Sequence, residues 1–460
     1  MMGSTVAAIS TPHGRGGVAL IRISGPEAVE VAEGMFRPAS GRALAAYPAR
    51  TAVYGEILLR GQRIDSGIAT VFRAPASFTG EDTVEIACHG GVLLTETVLQ
   101  SAFLCGAEQA GAGEFTKRAF LNGKIGLSEA EGIIDLIEAE SDEQLRMAVA
   151  QSGGRLRREI DALSGRLRRL LASVYALIDY PDEDLSEVSE EEMAGEIEAL
   201  LASLDRLKDS YRSSRVIKEG IRTAIVGRPN TGKSSLLNLL LGRERAIVTD
   251  IPGTTRDTVE ESAVLGRAML RLCDTAGIRT TDDAVEQIGV TRSVEALEGS
   301  ELVIAVFDGS APFDDEDGAM LDRLRAYQGD KQVLVLLNKS DRGCVMEQAP
   351  FAPFPLLIGS VKEEGEALRK RLSDEIEARF LDGRLTAGQD AMITNARQLA
   401  SLSAAADALA RGGEALSSGL PRDLVGLDLE QALSCLLETD GRGTSDQIVN
   451  EIFSRFCVGK

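Results

Sequence analysis

Over the first 124 positions apolar and polar residues alternate in short β-branched runs, Val18 to Ile23, Thr51 to Leu58 and Thr83 to Ala87, separated by loops rich in Gly, Pro and Ser. A period of two marks a half-buried strand, whereas the stretches around 27–35 and 91–105 carry helical spacing. This region predicts an α+β domain. From Leu127 the period lengthens. Ser128 and Glu131 form a capping-box signature, followed by Ile133, Ile134, Ile137 and Leu145 at helical spacing. A second helix is predicted from about Arg155 to Tyr180, stopping before Pro181, and a third from Ser189, with Glu192 three residues on. Near Arg215 strand-like runs return: Ile221 to Val226, Ala268 to Cys273, Leu302 to Phe307, Gln332 to Leu337 and Pro355 to Ile358, with helical segments between them. Such alternation predicts a doubly wound α/β domain. After about Arg384 the pattern is helical again, over 392–411, 423–437 and 445–456. The flanking helices are expected to pack together, with the α/β unit inserted between them. The domains expected are 1–124, 125–217, 218–383 and 384–460.

Composition changes this picture little. The 460 residues, 44% apolar and 26% charged, can bury several cores, so disorder is excluded as a global description. No apolar run approaches the ~18 residues of a membrane helix, and the opening MMGSTVAAISTPHGRGG has neither a long apolar core nor a basic leader. A cytoplasmic protein without membrane contact is the expectation. Six scattered cysteines, no CxxC pair and only two histidines argue against a disulfide framework and a zinc site. The net charge of -21 argues against a protein that coats nucleic acid nonspecifically. Two basic clusters, Arg155, Arg157, Arg158, Arg166, Arg168 and Arg169, and Lys117, Arg118 and Lys124, stand either as solvated helix faces with acidic partners or as an RNA contact.

The chemistry is concentrated in the α/β region. Gly227-Arg-Pro-Asn-Thr-Gly-Lys-Ser234 follows an apolar strand and precedes a helical run, the context of a phosphate-binding loop. Asn230, Thr231, Gly232, Lys233, Ser234 and Ser235 are its candidate contacts: backbone N–H groups and the helix N-terminus face phosphate, Lys233 reaches the β and γ phosphates, and Ser234 ligates magnesium. Downstream, Asp274-Thr275-Ala276-Gly277 ends a strand, offering a carboxylate to a magnesium-bound water and a glycine N–H to the γ-phosphate. Asn338-Lys339-Ser340-Asp341 follows a buried strand, and the Asp341 carboxylate suits guanine N1–H and its 2-amino group, which adenine cannot present. Ser360-Val361-Lys362 suits a loop at the base edge. Thr255, in Thr249-Asp-Ile-Pro-Gly-Thr254-Thr255-Arg-Asp257, is the expected switch threonine for magnesium. Ile278 stands where many GTPases carry a glutamine that orients water, so Glu286 is the candidate for that task. The Asn230 side-chain carbonyl is a candidate ligand for a monovalent cation near the phosphates.

GRPNTGKSSLLN, TDIPGTTRD, DTAGIR, NKSD and the closing FCVGK resemble the MnmE (TrmE) family of tRNA-modification GTPases. GRGGVALIRISGP, SFTGEDTVEIACHGG and GEFTKRAFLNGKIGLSEAEGIIDLI extend the resemblance over the whole chain. It implies an N-terminal folate-binding domain that forms a homodimer, a helical domain, an inserted Ras-like G domain and a C-terminal cysteine motif. It also implies work with the flavoprotein MnmG, in a heterotetramer, placing an aminomethyl-type group on carbon 5 of the wobble uridine of certain tRNAs. Arg22, Glu85, Lys124 and Lys460 match its positions for a tetrahydrofolate derivative (5-formyl or 5,10-methylene). Asn230, Thr249, Ile251 and Thr254 match its potassium site, Ser234 and Thr255 its magnesium ligands, Glu286 its catalytic switch glutamate and Cys457 its C-terminal cysteine. FCVGK differs from the commoner FCIGK by one conservative apolar change, and Pro252 stands where other members often have Ala. Two function classes remain: a GTPase coupled to tRNA modification, and a ribosome-associated molecular switch whose G domain only times binding.

Overall fold

The structure, a computed structural model, describes residues 3–179, 189–242, 261–273, 297–381, 387–388 and 390–459. The chain divides into two compact units, one of Met1–Ile134, Gln151–Leu200 and Ser401–Lys460, the other of Asp135–Ala150 and Leu201–Ala400.

The first unit opens with a seven-stranded sheet of β1 (Val6–Ile9), β2 (Ala19–Ser24), β3 (Phe36–Pro38), β4 (Ala52–Leu59), β5 (Gln62–Phe72), β6 (Thr83–Cys88) and β7 (Glu108–Gln109). Their spatial order is β3-β4-β5-β6-β2-β1-β7. Alternation decides which face is buried: Ile21 and Ile23 of β2 and Val84 and Ile86 of β6 are fully buried, while Arg22 and Glu85 point the other way. Helices α1 (Ala28–Met35) and α2 (Val92–Leu104) cover the apolar face, adding Val29, Met35, Val98 and Ala102 to a core shared with Phe36 and Ile57. The short β1 and the long β5 were not expected. Asp65, Ser66 and Gly67 interrupt the apolar alternation of β5, which pairs with β4 on one side and β6 on the other.

The helices that follow are α3 (Glu114–Leu121), α4 (Leu127–Glu138), α5 (Asp142–Ser152), α6 (Arg155–Asp179) and α7 (Glu190–Glu219). Leu156, Ile160, Leu163, Leu167, Leu170 and Val174 give α6 a buried stripe at spacings of three and four. It packs on a later helix, Arg422–Glu438, through that helix's Val425, Leu429, Ala432 and Leu436. The expected cap at Ser189 forms: the Ser189 hydroxyl accepts from the Glu192 N–H at 3.2 Å, and the Glu192 carboxylate accepts from the Ser189 N–H at 2.8 Å. The one at Ser128 does not. Ser128 lies inside α4, and its hydroxyl donates to the carboxylate of Asp440, which is 2% exposed. A buried carboxylate needs that donor more than the helix end needs a cap, because Glu129 already accepts from the Gly126 N–H.

The second unit holds a six-stranded sheet of β8 (Ile221–Val226), β9 (Glu261–Leu265), β10 (Ala268–Leu272), β11 (Leu302–Asp308), β12 (Gln332–Asn338) and β13 (Leu356–Ile358), ordered β13-β12-β11-β8-β10-β9. Every pairing is parallel except β9 with β10. The near-continuous apolar runs of β11 and β12 follow from burial on both faces. Ile304, Val306, Leu334 and Leu336 face a core built with α8 (Lys233–Leu241) and with the helix at Gly365–Phe380. Val303, Ala305, Phe307, Val335 and Leu337 face a second core, built with α9 (Asp315–Arg325). Two cores on opposite faces of one parallel sheet are the doubly wound arrangement expected. The helix at Gly365–Phe380 is α10, followed by α11 (Ala396–Ser417), α12 (Arg422–Glu438) and α13 (Asp446–Ser454). Strand β9 was not expected, because Glu261 and Ser262 break its apolar pattern.

Candidate functional site

The loop between β8 and α8 has the backbone its glycines predict. Gly232 sits at φ 103°, and a Cβ there would lie 2.2 Å from Nδ2 of Asn338, so only glycine fits. Asn230 adopts the left-handed region at φ 64°. Lys233 opens α8, and its Nζ donates to the Arg228 carbonyl at 2.7 Å. Burial of the ammonium lowers its pKa from the ordinary lysine value. Ser234 and Ser235 are exposed in the first turn, where the N-terminus of the helix adds positive potential.

Asn338, at the end of β12, does the joining. Its Nδ2 donates to the Thr231 carbonyl at 2.8 Å and its Oδ1 accepts from the Val361 N–H at 3.0 Å. One buried amide thus ties the phosphate loop to the loop at Ser360. The Lys339 Nζ lies 2.6 Å from the carboxylate of Asp308, which also accepts from the Ser310 hydroxyl at 2.6 Å. Burial pushes the Asp308 carboxyl up, but these partners outweigh it and hold the group below the usual carboxylate range. Asp341 is exposed at the loop edge, and a hydrogen bond from Ser360 holds its carboxyl low and ionised, as an acceptor of guanine donors must be. Residues 230–235, 338–341 and 360–362 therefore gather at the carboxyl ends of β8, β12 and β13, where open α/β sheets bind ligands. Thr249, Ile251, Thr254, Thr255, Asp274, Thr275, Ala276, Gly277 and Glu286 lie outside the described residues.

Sequence reasoning missed two supports of this site. One is Asp308, concealed as the last residue of an apolar strand. The other is Arg228, whose guanidinium meets Asp314 and Glu316 at 2.6 Å and Asp317 at 3.3 Å, joining the phosphate loop to the start of α9. The acidic run Asp314 to Asp317 was its only signal.

In the first unit Arg22 and Glu85 are direct cross-strand neighbours, with Nε and Nη2 of Arg22 at 2.9 and 2.8 Å from the same Glu85 oxygen. The guanidinium lies 5.5 Å from the ring centre of Phe78 and 5.4 Å from that of Phe115. Lys124 is exposed, its Nζ donating to the Pro75 carbonyl at 2.9 Å. The tail reaches the same domain. Cys457 O accepts from the Gly113 N–H at 3.3 Å, Val458 bridges Ala112, and the Ser10 hydroxyl donates to Gly459 O at 2.9 Å. Gly459, at φ 96°, comes so close to Ile9 that a Cβ would fall 2.0 Å from its carbonyl oxygen. Cys457 itself is exposed, and Lys460 lies outside the described residues. Gly113 precedes α3, which carries Phe115 beneath Arg22.

Within the basic clusters three arginines are paired with carboxylates. Arg118 is buried between Glu81 and Glu114 at 3.0 and 2.8 Å, Arg157 pairs with Glu129 at 2.9 Å, and Arg166 with Glu196 at 2.7 Å. Their charges are spent on packing the domain. Among the described residues no group of three or more His, Cys, Asp and Glu side chains could hold a metal ion, and no helix is long and apolar enough to cross a membrane.

A glycine-rich loop between the first parallel strand and its helix, with an amide and a carboxylate at the neighbouring strand ends, defines a P-loop nucleotide-binding domain of the GTPase class. Family models identify the rest: the one described as the GTP-binding protein TrmE N-terminus matches residues 5–124, and the one for the MnmE helical domain matches 127–457. The tRNA modification GTPase MnmE of Chloroflexus aurantiacus is 43% identical, with 100% of each chain covered. That of Lactobacillus delbrueckii subsp. bulgaricus is 41% identical over 99% of this chain and 98% of its own, and that of Carboxydothermus hydrogenoformans 40% over 100% of both. The chain belongs to the MnmE family of tRNA modification GTPases, and it is an enzyme, a GTP hydrolase acting in tRNA modification.

Proposed function

We propose that this GTPase is potassium-dependent and, with the flavoprotein MnmG, adds an aminomethyl or carboxymethylaminomethyl group to C5 of the wobble uridine of certain tRNAs. It does so as a cytoplasmic homodimer, with a G domain (218–383) inserted in a helical domain (125–217 and 384–460) behind a folate-binding domain (1–124). The observation that carries this reading is the tie of residues 457–459 to Ser10 and to Ala112 and Gly113, the domain that holds the Arg22–Glu85 pair. A freestanding nucleotide switch has no need of such a tie.

The donor set suits the groups proposed. Glu85 is an acceptor for the pterin edge, Phe78 and Phe115 present flat faces beside Arg22, and Lys124 and Lys460 offer cations to the glutamate carboxylates of a tetrahydrofolate. When bound, the folate supplies a one-carbon unit. Ser234, at the N-terminus of α8, and Thr255 would hold magnesium, while Asn230, the carbonyls of Thr249 and Ile251, and Thr254 would hold potassium. Bound there, such ions would neutralise charge on the phosphates. Lys233 turns from the Arg228 carbonyl to the β and γ oxygens, Asp341 takes the guanine donors, and Glu286 orients water where Ile278 cannot.

Nucleoside mass spectrometry of tRNA from a strain lacking the gene tests the whole reading. Loss of the wobble modification, restored by this chain, is expected, and unaltered tRNA would overturn it. GTPase rates in potassium and sodium at matched ionic strength test the cation, and equal rates would remove the potassium site.

A further inference from the structure

We propose that Glu364 is a positioning residue for guanine selection, clamping with one carboxylate the two loops that read the base edge. The proposal rests on the assignment of Asp341 to guanine. Oε1 of Glu364 accepts from the Ser340 hydroxyl at 3.0 Å and from the Ser360 N–H at 3.1 Å. Oε2 accepts from Arg371 Nη2 at 2.5 Å, and the other arm of that guanidinium donates to the Ile358 carbonyl at 2.9 Å. The backbone closes the same ring, since the Ser340 N–H donates to Gly359 O at 3.3 Å and the Glu364 N–H to Ser360 O at 2.8 Å.

Asp341 stands at the centre of this arrangement without touching Glu364. It follows Ser340 in the chain, and Ser360 hydrogen-bonds its carboxylate. Both immediate supports of the guanine-reading group are therefore held by Glu364. The Arg371 guanidinium fills the space beside Gly359, where a Cβ would lie 2.8 Å from Nη2. The arginine thereby fixes the carboxylate that fixes the loops. An ionised carboxylate is the right group here, because all three partners donate and it carries acceptors only. Glutamine would turn an NH2 toward one of those donors.

Comparing GTP with ITP isolates the effect, because hypoxanthine keeps N1–H but lacks the 2-amino group that Asp341 also binds. Competition titrations against a fluorescent guanine nucleotide, using the full chain, read both affinities. Glu364→Ala is expected to weaken GTP by about 10-fold and ITP by about 3-fold or less, so that the GTP-over-ITP ratio narrows. Ser340→Ala, which leaves the Glu364–Arg371 pair in place, should narrow it in the same direction by a smaller factor, and it decides the matter if the glutamate variant does not fold. A purely structural role would lower the two affinities together, and an unchanged ratio overturns the proposal. Asp341→Asn separates the two levels: if it leaves the ratio intact, the base-site assignment itself fails, whereas a collapsed ratio beside an unchanged Glu364→Ala ratio rejects Glu364 alone.

Discussion

The two units assemble their candidate chemistry in opposite ways. In the nucleotide unit each loop carries its groups in a few consecutive residues, and the parallel sheet has only to bring the loop ends together. In the first unit the groups arrive singly: Arg22 and Glu85 meet through antiparallel register, and Gly459 meets Ser10 across 449 positions of chain. A site made of contiguous motifs keeps its reading groups together and leans on a few supports outside them, such as Asp308 and Glu364, whereas one made of single residues depends on every element that sets their register.

The largest test of this contrast removes residues 457–460. Wobble-uridine modification should be abolished and GTP hydrolysis largely retained, as read by tRNA nucleoside analysis and phosphate release, because the phosphate loop and base loops lie in a different unit. Normal modification by the truncated chain would break the comparison. Next in size is Asn338→Ala. It strips the Thr231 carbonyl and the Val361 N–H of their partners inside a residue 3% exposed, so the nucleotide unit should lose about 2–4 kcal/mol and much of its GTP affinity, measured by denaturant unfolding and nucleotide titration. Reduced-folate binding should be unaffected.

Arg118→Met sharpens the other side. The arginine also donates to the Ser4 carbonyl at 2.8 Å, so its loss leaves Glu81 and Glu114 facing each other and frees the start of the chain from α3. With both carboxylates partly solvated, a loss of about 2–3 kcal/mol is expected in the first unit, and folate titration should weaken while GTP binding holds. The smallest effect concerns thiols. Burial and the nearby Asp65 charge push Cys88 from 9.0 up to about 11. Its thiolate fraction at pH 8 is therefore small, and alkylation followed by peptide mass spectrometry should mark the exposed Cys344 and Cys457 well before Cys88. Because the folded thiol holds its proton longer than the unfolded one, the contribution of Cys88 to stability is fully present below about pH 9 and is lost as pH rises to about 11.

The same contrast explains what was legible. Strand periodicity placed β2, β6, β8, β11 and β12 to within a residue or so, and the phosphate and base loops could be read because glycine, lysine and the carboxylate follow one another in order. Capping at Ser189 was legible because it is local. At Ser128 the same pattern misled, since the partner that claims the hydroxyl, Asp440, is 312 positions away. The Arg22–Glu85 pair is visible only once β2 and β6 are set in register, and no spacing in the chain announces it. Glu364 had no signal for a related reason: its meaning depends on Ser340 and Arg371, which only the winding of the sheet brings beside it.

Synthesis order gives the docked tail a further consequence. The segment that bridges Ala112 leaves the ribosome long after the sheet beside it, so for most of translation Ala112, Gly113 and the Ser10 hydroxyl wait without their partners from the tail. Closing so long a loop costs entropy that grows only slowly with length, so the delay is kinetic rather than a large loss of stability. A chain halted by a premature stop or shifted out of frame, even after making the entire nucleotide unit, never supplies the bridge. Such a chain would hold its phosphate loop and base loops, yet its Ser10 hydroxyl and Gly113 N–H would lack the partners that residues 457–459 provide.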